Sequence, residues 1–288
     1  MAEGTIGVVG SGTMGSGIAH VFALSGHGVV LLDLQKELLD RAVAGIGANL
    51  ERQVKKQAIS AAQKQAALAS IRTATSYSAL APCRLVVEAV SENRELKKQV
   101  LQAIEAVVSE ECIIASNTST LSITELASCL RLPRRFIGMH FMNPVPVMQL
   151  VEVIGGLQTA EEVSAQVSAL AQKIGKTPVL VRDSPGFVLN RLLIPMLNEA
   201  AYVLEGGVAS AEAIDACLKL GANHPLGPLA LADLIGLDIC LHVMEVLQAD
   251  FGDPKYRPCP LLRRMVAAGR LGRKSGQGFY EYKCAVAR

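Results

Sequence analysis

Tryptophan is absent from this chain, and only 4% of its residues are aromatic. Half of the residues are hydrophobic, so its core must be aliphatic and rich in alanine. The seven cysteines include no C-x-x-C pair and are odd in number, which argues against a disulfide framework and a zinc site. No metal is expected, and a reducing, cytoplasmic compartment fits best. Charge of one sign is also lacking: a net charge of +2 makes no case for nucleic acid or an anionic membrane surface as partner. No apolar run reaches the ~18 residues needed to cross a bilayer, and the longest uncharged stretch, Phe136 to Val151, is broken by Asn143, Pro144 and Pro146. The first apolar run begins at Ile6, so no signal or transit peptide is expected ahead of it. With 288 residues there is room for two domains.

What is present begins at once. The apolar run Ile6 to Val9 reads as a buried parallel strand and leads into Gly10-Ser11-Gly12-Thr13-Met14-Gly15 before a helical pattern starts. Gly10 suits a tight turn, Gly12 close approach of the backbone to a pyrophosphate, and Gly15 close packing of helix on strand. The helix that follows directs free N–H groups and its positive dipole end at the same place. A second strand, Val29 to Leu32, ends at Asp33, about 20 residues on, where a carboxylate accepts hydrogen bonds from ribose hydroxyls. That carboxylate repels a 2′-phosphate, and no arginine immediately follows it, so NAD is favoured over NADP. Glycine-rich turns occur in many loops, but strand, motif, helix, strand and terminal acid in succession point to dinucleotide binding.

Residues 36 to about 72 read as a helical hairpin, its second helix running from Ala61 to Ile71 with Ser60 as N-cap. Arg52, Lys55 and Lys56 near its turn fit either a solvated surface or an anchor for a phosphate-bearing ligand. A third strand is expected over Leu85 to Val90, and another over Cys112 to Ala115, ending in the polar cluster Ser116-Asn117-Thr118-Ser119-Thr120. Polar residues just past a parallel strand lie where open α/β sheets bind ligands. They also fit a helix start, since Ser122 and Glu125 form a capping box. Phe136 to Phe141 carries His140, and Leu150 to Ile154 holds a single acid, Glu152. A carboxylate inside a strand is costly without a partner, and His140 is the natural one.

After the strand Pro178 to Val181, the break Asp183-Ser184-Pro185-Gly186 marks a domain boundary, placing domains at 1–184 and 185–288. Helices are expected over Leu189 to Leu204, Ala211 to Leu220, Pro228 to Phe251 and Leu261 to Ala268. Two apolar stripes, Ile194-Leu197-Ala201-Leu204 and Leu234-Leu237-Leu241-Met244-Leu247, exceed what one small core absorbs. A homodimer through this half is expected; packing on the first domain is the alternative. Phe279, Tyr280 and Tyr282 suggest that the glycine-rich, basic tail is docked. The fold class is thus α/β: a Rossmann-like, doubly wound, mostly parallel sheet with a helical-hairpin insertion, then an all-α C-terminal domain.

Hydride transfer from a secondary alcohol to NAD needs a base for the hydroxyl proton and donors for the oxygen. His140 is the one imidazole near a strand end in the nucleotide-binding half, and Glu152 in the next strand strengthens its case. With GVVGSGTMGSGIA, VVEAVSEN, ASNTST, GMHFMNPVPVMQLVEVI, DSPGFVLNRLL, GPLALADLIGLD and GRKSGQGFY in this order, nearly the whole chain resembles the L-3-hydroxyacyl-CoA dehydrogenase family. Its length, without an attached hydratase domain, is that of the stand-alone short-chain form.

The resemblance implies NAD-dependent, reversible oxidation of (S)-3-hydroxyacyl-CoA to 3-oxoacyl-CoA, with 3-hydroxybutyryl-CoA and acetoacetyl-CoA as the expected pair. It makes His140 the general base, oriented by Glu152, and has Ser119 and Asn190 hydrogen-bond the substrate. Besides the glycine turn, it has Asp33, Ala89, Glu92, Lys97, Asn117, Ser119 and Asn143 line the cofactor, with Lys274 reaching it from the tail. Lys56 meets CoA. Three positions depart from the family pattern: Asn49 where serine often contacts CoA, Thr120 for a second serine, and Met142 for phenylalanine. A crystallin-like structural protein on the same scaffold is the alternative, against which stand Ser119, His140, Glu152 and Asn190. A hydroxyacid dehydrogenase with a lysine on the long helix is disfavoured, since no lysine follows Asn190 until Lys219.

Overall fold

The computed structural model describes residues 4–282. The chain forms two compact units that meet between Ser184 and Pro185. The first holds eight strands: β1 (Thr5–Val9), β2 (Val29–Leu32), β3 (Ile71–Ala74), β4 (Cys83–Glu88), β5 (Ile113–Ser116), β6 (Phe136–Phe141), β7 (Leu150–Gly155) and β8 (Thr177–Arg182). They form one sheet in the order β3-β2-β1-β4-β5-β6-β7-β8. From β3 to β6 all pairs are parallel, β7 runs antiparallel to β6, and β8 parallel to β7. Strand order therefore reverses at β1/β4, the switch point where open α/β sheets bind ligands.

The central strands are apolar along their length because the sheet is covered on both faces. Val8, Leu31, Leu85, Val87, Ile113, Ile137 and Met139 are buried with Ile18 and Phe22 of α1 (Thr13–Leu24) in one aliphatic core. The hairpin comprises α2 (Lys36–Lys55) and α3 (Ala61–Ala69), and the expected Ser60 cap is present as a capping box with Gln63. Its expected last residues are not helical. Ile71 to Ala74 pair with β2 as an edge strand, so the sheet recruits a segment whose short length hides it from periodicity. Three further helices, α4 (Arg94–Glu105), α5 (Ile123–Ala127) and α6 (Glu161–Lys173), complete the unit.

The second unit is helical: α7 (Leu189–Glu205), α8 (Ala211–Gly221), α9 (Pro228–Ile235), α10 (Leu237–Phe251) and α11 (Pro260–Ala267). The single helix expected over Pro228 to Phe251 is two, broken at Gly236, whose φ of +111 no helix accommodates. The two apolar stripes are also redirected. Ile194, Leu197, Ala201, Leu237, Met244 and Leu247 are buried in this unit's own core, so they do not form a surface for a second chain. Leu234 alone of the stripe residues is exposed, at 52%. The tail is docked: the buried Asp233 carboxylate accepts from the N–H groups of Phe279 (2.9 Å) and Tyr280 (3.0 Å) and from the Tyr282 hydroxyl. Asp215 joins it, accepting from Leu229 and Ala230 N–H at the start of α9 and from the Tyr280 hydroxyl. The six described cysteines are free thiols, and Cys284 lies outside the described residues. Among the described residues no helix is long and apolar enough to cross a membrane.

Candidate active site

At the C-terminal end of β1 the chain turns through Gly10, whose φ is +99 and whose Cβ, if present, would lie 2.6 Å from the Ala89 carbonyl oxygen. A Cβ on Gly15 would lie 1.8 Å from the Gly10 oxygen, so α1 reaches this closeness to the turn only with glycine there. Gly12 differs, facing open space with nothing within 4 Å. It is also the N-cap of α1 and offers no side-chain cap, so the first-turn N–H groups are left for a ligand. Asp33, past β2, accepts from Ser11 N–H (2.8 Å) and the Ser11 hydroxyl (2.7 Å) through one carboxylate oxygen, and from Leu34 N–H through the other. The acid thus braces the turn from the side where an adenosine ribose would lie. A dinucleotide fits this cradle.

Across the switch point lies a network of buried charge. Glu88, the last residue of β4, is fully buried and accepts from Lys97 Nζ (2.7 Å), Val90 N–H (2.7 Å) and the Ser116 hydroxyl of β5 (2.5 Å). Lys97, only 1% exposed, also pairs with Glu92 at 3.3 Å. Glu92 in turn gathers the loop after β5, accepting from the Thr118 and Thr120 hydroxyls and from Ser119 (2.9 Å) and Thr120 N–H. Burial opposes its ionisation, but Lys97 and these donors outweigh burial and hold its carboxyl below the usual range. Ser119 is therefore fixed by its own backbone. Asn117 is fixed by its side chain, which accepts from Phe141 N–H (2.9 Å).

His140 occupies the fifth position of β6 and lies directly opposite Glu152 in the antiparallel ladder with β7. Cross-strand neighbours put their side chains on the same face, and here Nδ1 lies 2.8 Å from the Glu152 carboxylate, both groups buried. A carboxylate only accepts, so Nδ1 is the nitrogen that donates to Glu152, which turns Nε2 to the opposite side of the ring. Because β1, β4, β5 and β6 are parallel, this pair stands on the same sheet edge as the glycine turn.

The other expected site residues are placed variously. Ala89, half-buried, packs over Gly10 through its carbonyl. Asn143 is exposed in the loop after β6, and Met142 before it is buried. Lys56 follows α2 at its C-cap and is exposed with Arg52 and Lys55; Asn49 is half-buried on the same helix. Asn190 and Lys274 belong to the second unit, Asn190 in the first turn of α7 and Lys274 in the tail, 2.6 Å from Asp238. Sequence reasoning missed Asp183, which holds the start of α5 by accepting from the Ser122 hydroxyl and from Ile123 and Thr124 N–H. It also missed Glu88 as the anchor of Lys97, a pairing that no spacing along the chain announces.

A glycine turn that fits a pyrophosphate, an acid placed beside it and an imidazole backed by a carboxylate on the same sheet edge are the arrangement of the dinucleotide-dependent dehydrogenases, which take a proton and a hydride from their substrates. Residues 5–184 match the NAD binding domain of 3-hydroxyacyl-CoA dehydrogenase and residues 186–282 its C-terminal domain, so the chain belongs to the 3-hydroxyacyl-CoA dehydrogenase family of NAD-dependent oxidoreductases. The crystal structure of (S)-3-hydroxybutyryl-CoA dehydrogenase from Ralstonia eutropha superposes with a TM-score of 0.96 at 53% identity, over 98% of this chain and all of that one. The 3-hydroxybutyryl-CoA dehydrogenase of Bradyrhizobium diazoefficiens is 49% identical over 97% of this chain and 96% of its own length. That of Clostridioides difficile is 49% identical over 96% and 99%.

Proposed function

We propose that this chain oxidises short-chain (S)-3-hydroxyacyl-CoA, above all 3-hydroxybutyryl-CoA, to the 3-oxoacyl-CoA, and runs the reverse reaction on acetoacetyl-CoA. The observation that carries this reading is the 2.8 Å His140–Glu152 pair on the edge that bears the glycine turn. NAD, when bound, supplies the hydride acceptor. His140 Nε2 takes the substrate hydroxyl proton, and Glu152 keeps the ring in the required tautomer and stabilises the imidazolium that forms. Ser119, held by Glu92, hydrogen-bonds the substrate, and Asn190 is assigned the same role. The turn from Gly10 to Gly15 takes the pyrophosphate and Asp33 the adenosine ribose. Ala89, Glu92, Lys97, Asn117, Asn143 and Lys274 complete the cofactor site, Lys97 from beneath through Glu88 and Glu92.

Lys56 is assigned to the CoA phosphates; its exposure beside Arg52 and Lys55 gives it reach and a positive field. Asn49 keeps a polar group where relatives often carry serine. Residues 1–184 form the NAD domain and 185–288 the substrate-binding and dimerisation domain. A homodimer through the second domain uses the apolar side chains still exposed once its core is filled, among them Leu192, Leu220 and Leu234. The reading places the protein in the cytoplasm.

The test is NADH consumption with acetoacetyl-CoA. Wild type turns over, and both His140→Ala and Glu152→Gln lose ~10²–10⁴-fold in kcat with NADH binding retained. A His140→Ala variant as fast as wild type would remove the base from the mechanism.

A further inference from the structure

Two lysines are buried among the described residues, and they are treated very differently. Lys97 sits on two carboxylates. Lys176, 8% exposed, has no carboxylate in ion-pair reach among the described residues; its ammonium donates to the carbonyl oxygens of Val145 and Met148, the latter at 2.8 Å. Burial pushes its pKa down. An ammonium is a costly way to fill such a position. What it supplies is two convergent hydrogen bonds to a stretch of backbone outside the sheet ladder.

That stretch is the loop from Met142 to Gln149, which joins β6 to β7 and so has His140 at one root and Glu152 at the other. Its two ends are tied: Phe141 N–H donates to Asn117, and Thr177 N–H to the Gln149 carbonyl (2.8 Å). Its middle is held down by Lys176. Val145, 2% exposed, is pressed against α1, where a Cβ on Gly17 would come within 2.9 Å of it. The loop therefore bridges the dinucleotide helix and the His–Glu pair, and carries the exposed Asn143 between them. A dinucleotide across the β1/β4 switch point puts its adenosine half over β1 and β2, beside Asp33, and its nicotinamide half toward β5 and β6. The loop leaves β6 and so lies on the side of the second half, meeting α1 at Gly17, beyond the glycine turn.

We propose that Lys176 is a positioning residue for the nicotinamide end of the cofactor, fixing the Met142–Gln149 loop against α1 and thereby the rim of the site above His140. This rests on the reading that a dinucleotide occupies the glycine turn. Its loss releases the loop without touching the turn or Asp33.

The experiment compares NADH with ADP-ribose, which has the adenosine and pyrophosphate but lacks nicotinamide, by titration calorimetry on wild type, Lys176→Met and Lys176→Gln. Lys176→Met weakens NADH at least tenfold, ~1.4 kcal/mol, and ADP-ribose less than twofold. Lys176→Gln, which can still donate to one carbonyl, falls between. Equal weakening of both ligands, or NADH affinity within twofold of wild type, overturns the inference. Should Lys176→Met fail to fold, the same ratio measured on Lys176→Gln decides. Wild type that binds neither ligand overturns the dinucleotide reading itself and this inference with it, a result distinct from a variant that binds like wild type.

Discussion

His20 shows how far a single side chain can bias stability without touching chemistry. It lies on α1, 1% exposed, with Nε2 3.1 Å from the Gln53 amide, and burial, aided by the Lys176 charge, lowers its pKa to about 4. The unfolded chain binds that proton near pH 6.5, whereas the native chain binds it only near pH 4, so between these values the unfolded state carries more protons. Stability is therefore full above pH 6.5 and falls as pH drops toward 4, by on the order of 3 kcal/mol in all. His20→Gln flattens this part of the curve in urea unfolding at stepped pH. Carboxylates held low, such as Glu92, lose their contribution only at lower pH, so the two effects separate. Residue identity predicted none of this, since a histidine in an apolar helix face shows neither its burial nor the lysine brought to it from 156 positions away in the chain.

At the scale of elements, the glycine turn and α1 act as one part. Gly15→Ala forces a Cβ against the Gly10 carbonyl, a backbone atom with nowhere to go, and costs ~1–3 kcal/mol with loss of NADH binding. Gly12→Ala meets only open space, so its thermal midpoint stays within a degree or two of wild type, while NADH binding falls because the methyl occupies the pyrophosphate's approach. Paired melts and NADH titrations separate the two. A Gly12→Ala variant that binds NADH like wild type would show that the phosphates do not pass there. The turn was legible from spacing because Gly10, with its positive φ, and Gly15, against the Gly10 carbonyl, are required within one strand-turn-helix unit. The β3 strand and the break at Gly236 were not: β3 is four residues long and defined by its neighbour β2, and the apolar pattern runs through Gly236 unchanged.

For the whole molecule, the consequence of filling the helical core from within is that any dimer contact must be built from what is left outside. The proposed homodimer predicts a light-scattering mass of twice the 30.5 kDa chain at micromolar concentration. A single-chain mass would overturn it and leave the exposed Leu234 and Leu220 as ordinary surface.

Sequence by itself determined the features that local physics enforces: the strand-glycine-helix unit, the acid at the end of β2, the helical second half and the suspicion that an acid inside an apolar strand needs an imidazole. Tertiary structure decided which groups meet. Only an antiparallel register sets His140 opposite Glu152, only sheet order brings Glu88 to Ser116 and Lys97, and only the fold of the β6–β7 loop over α1 delivers two carbonyls to Lys176. Those are long-range pairings, fixed by how strands line up and helices cover them, and no periodicity along a chain encodes them.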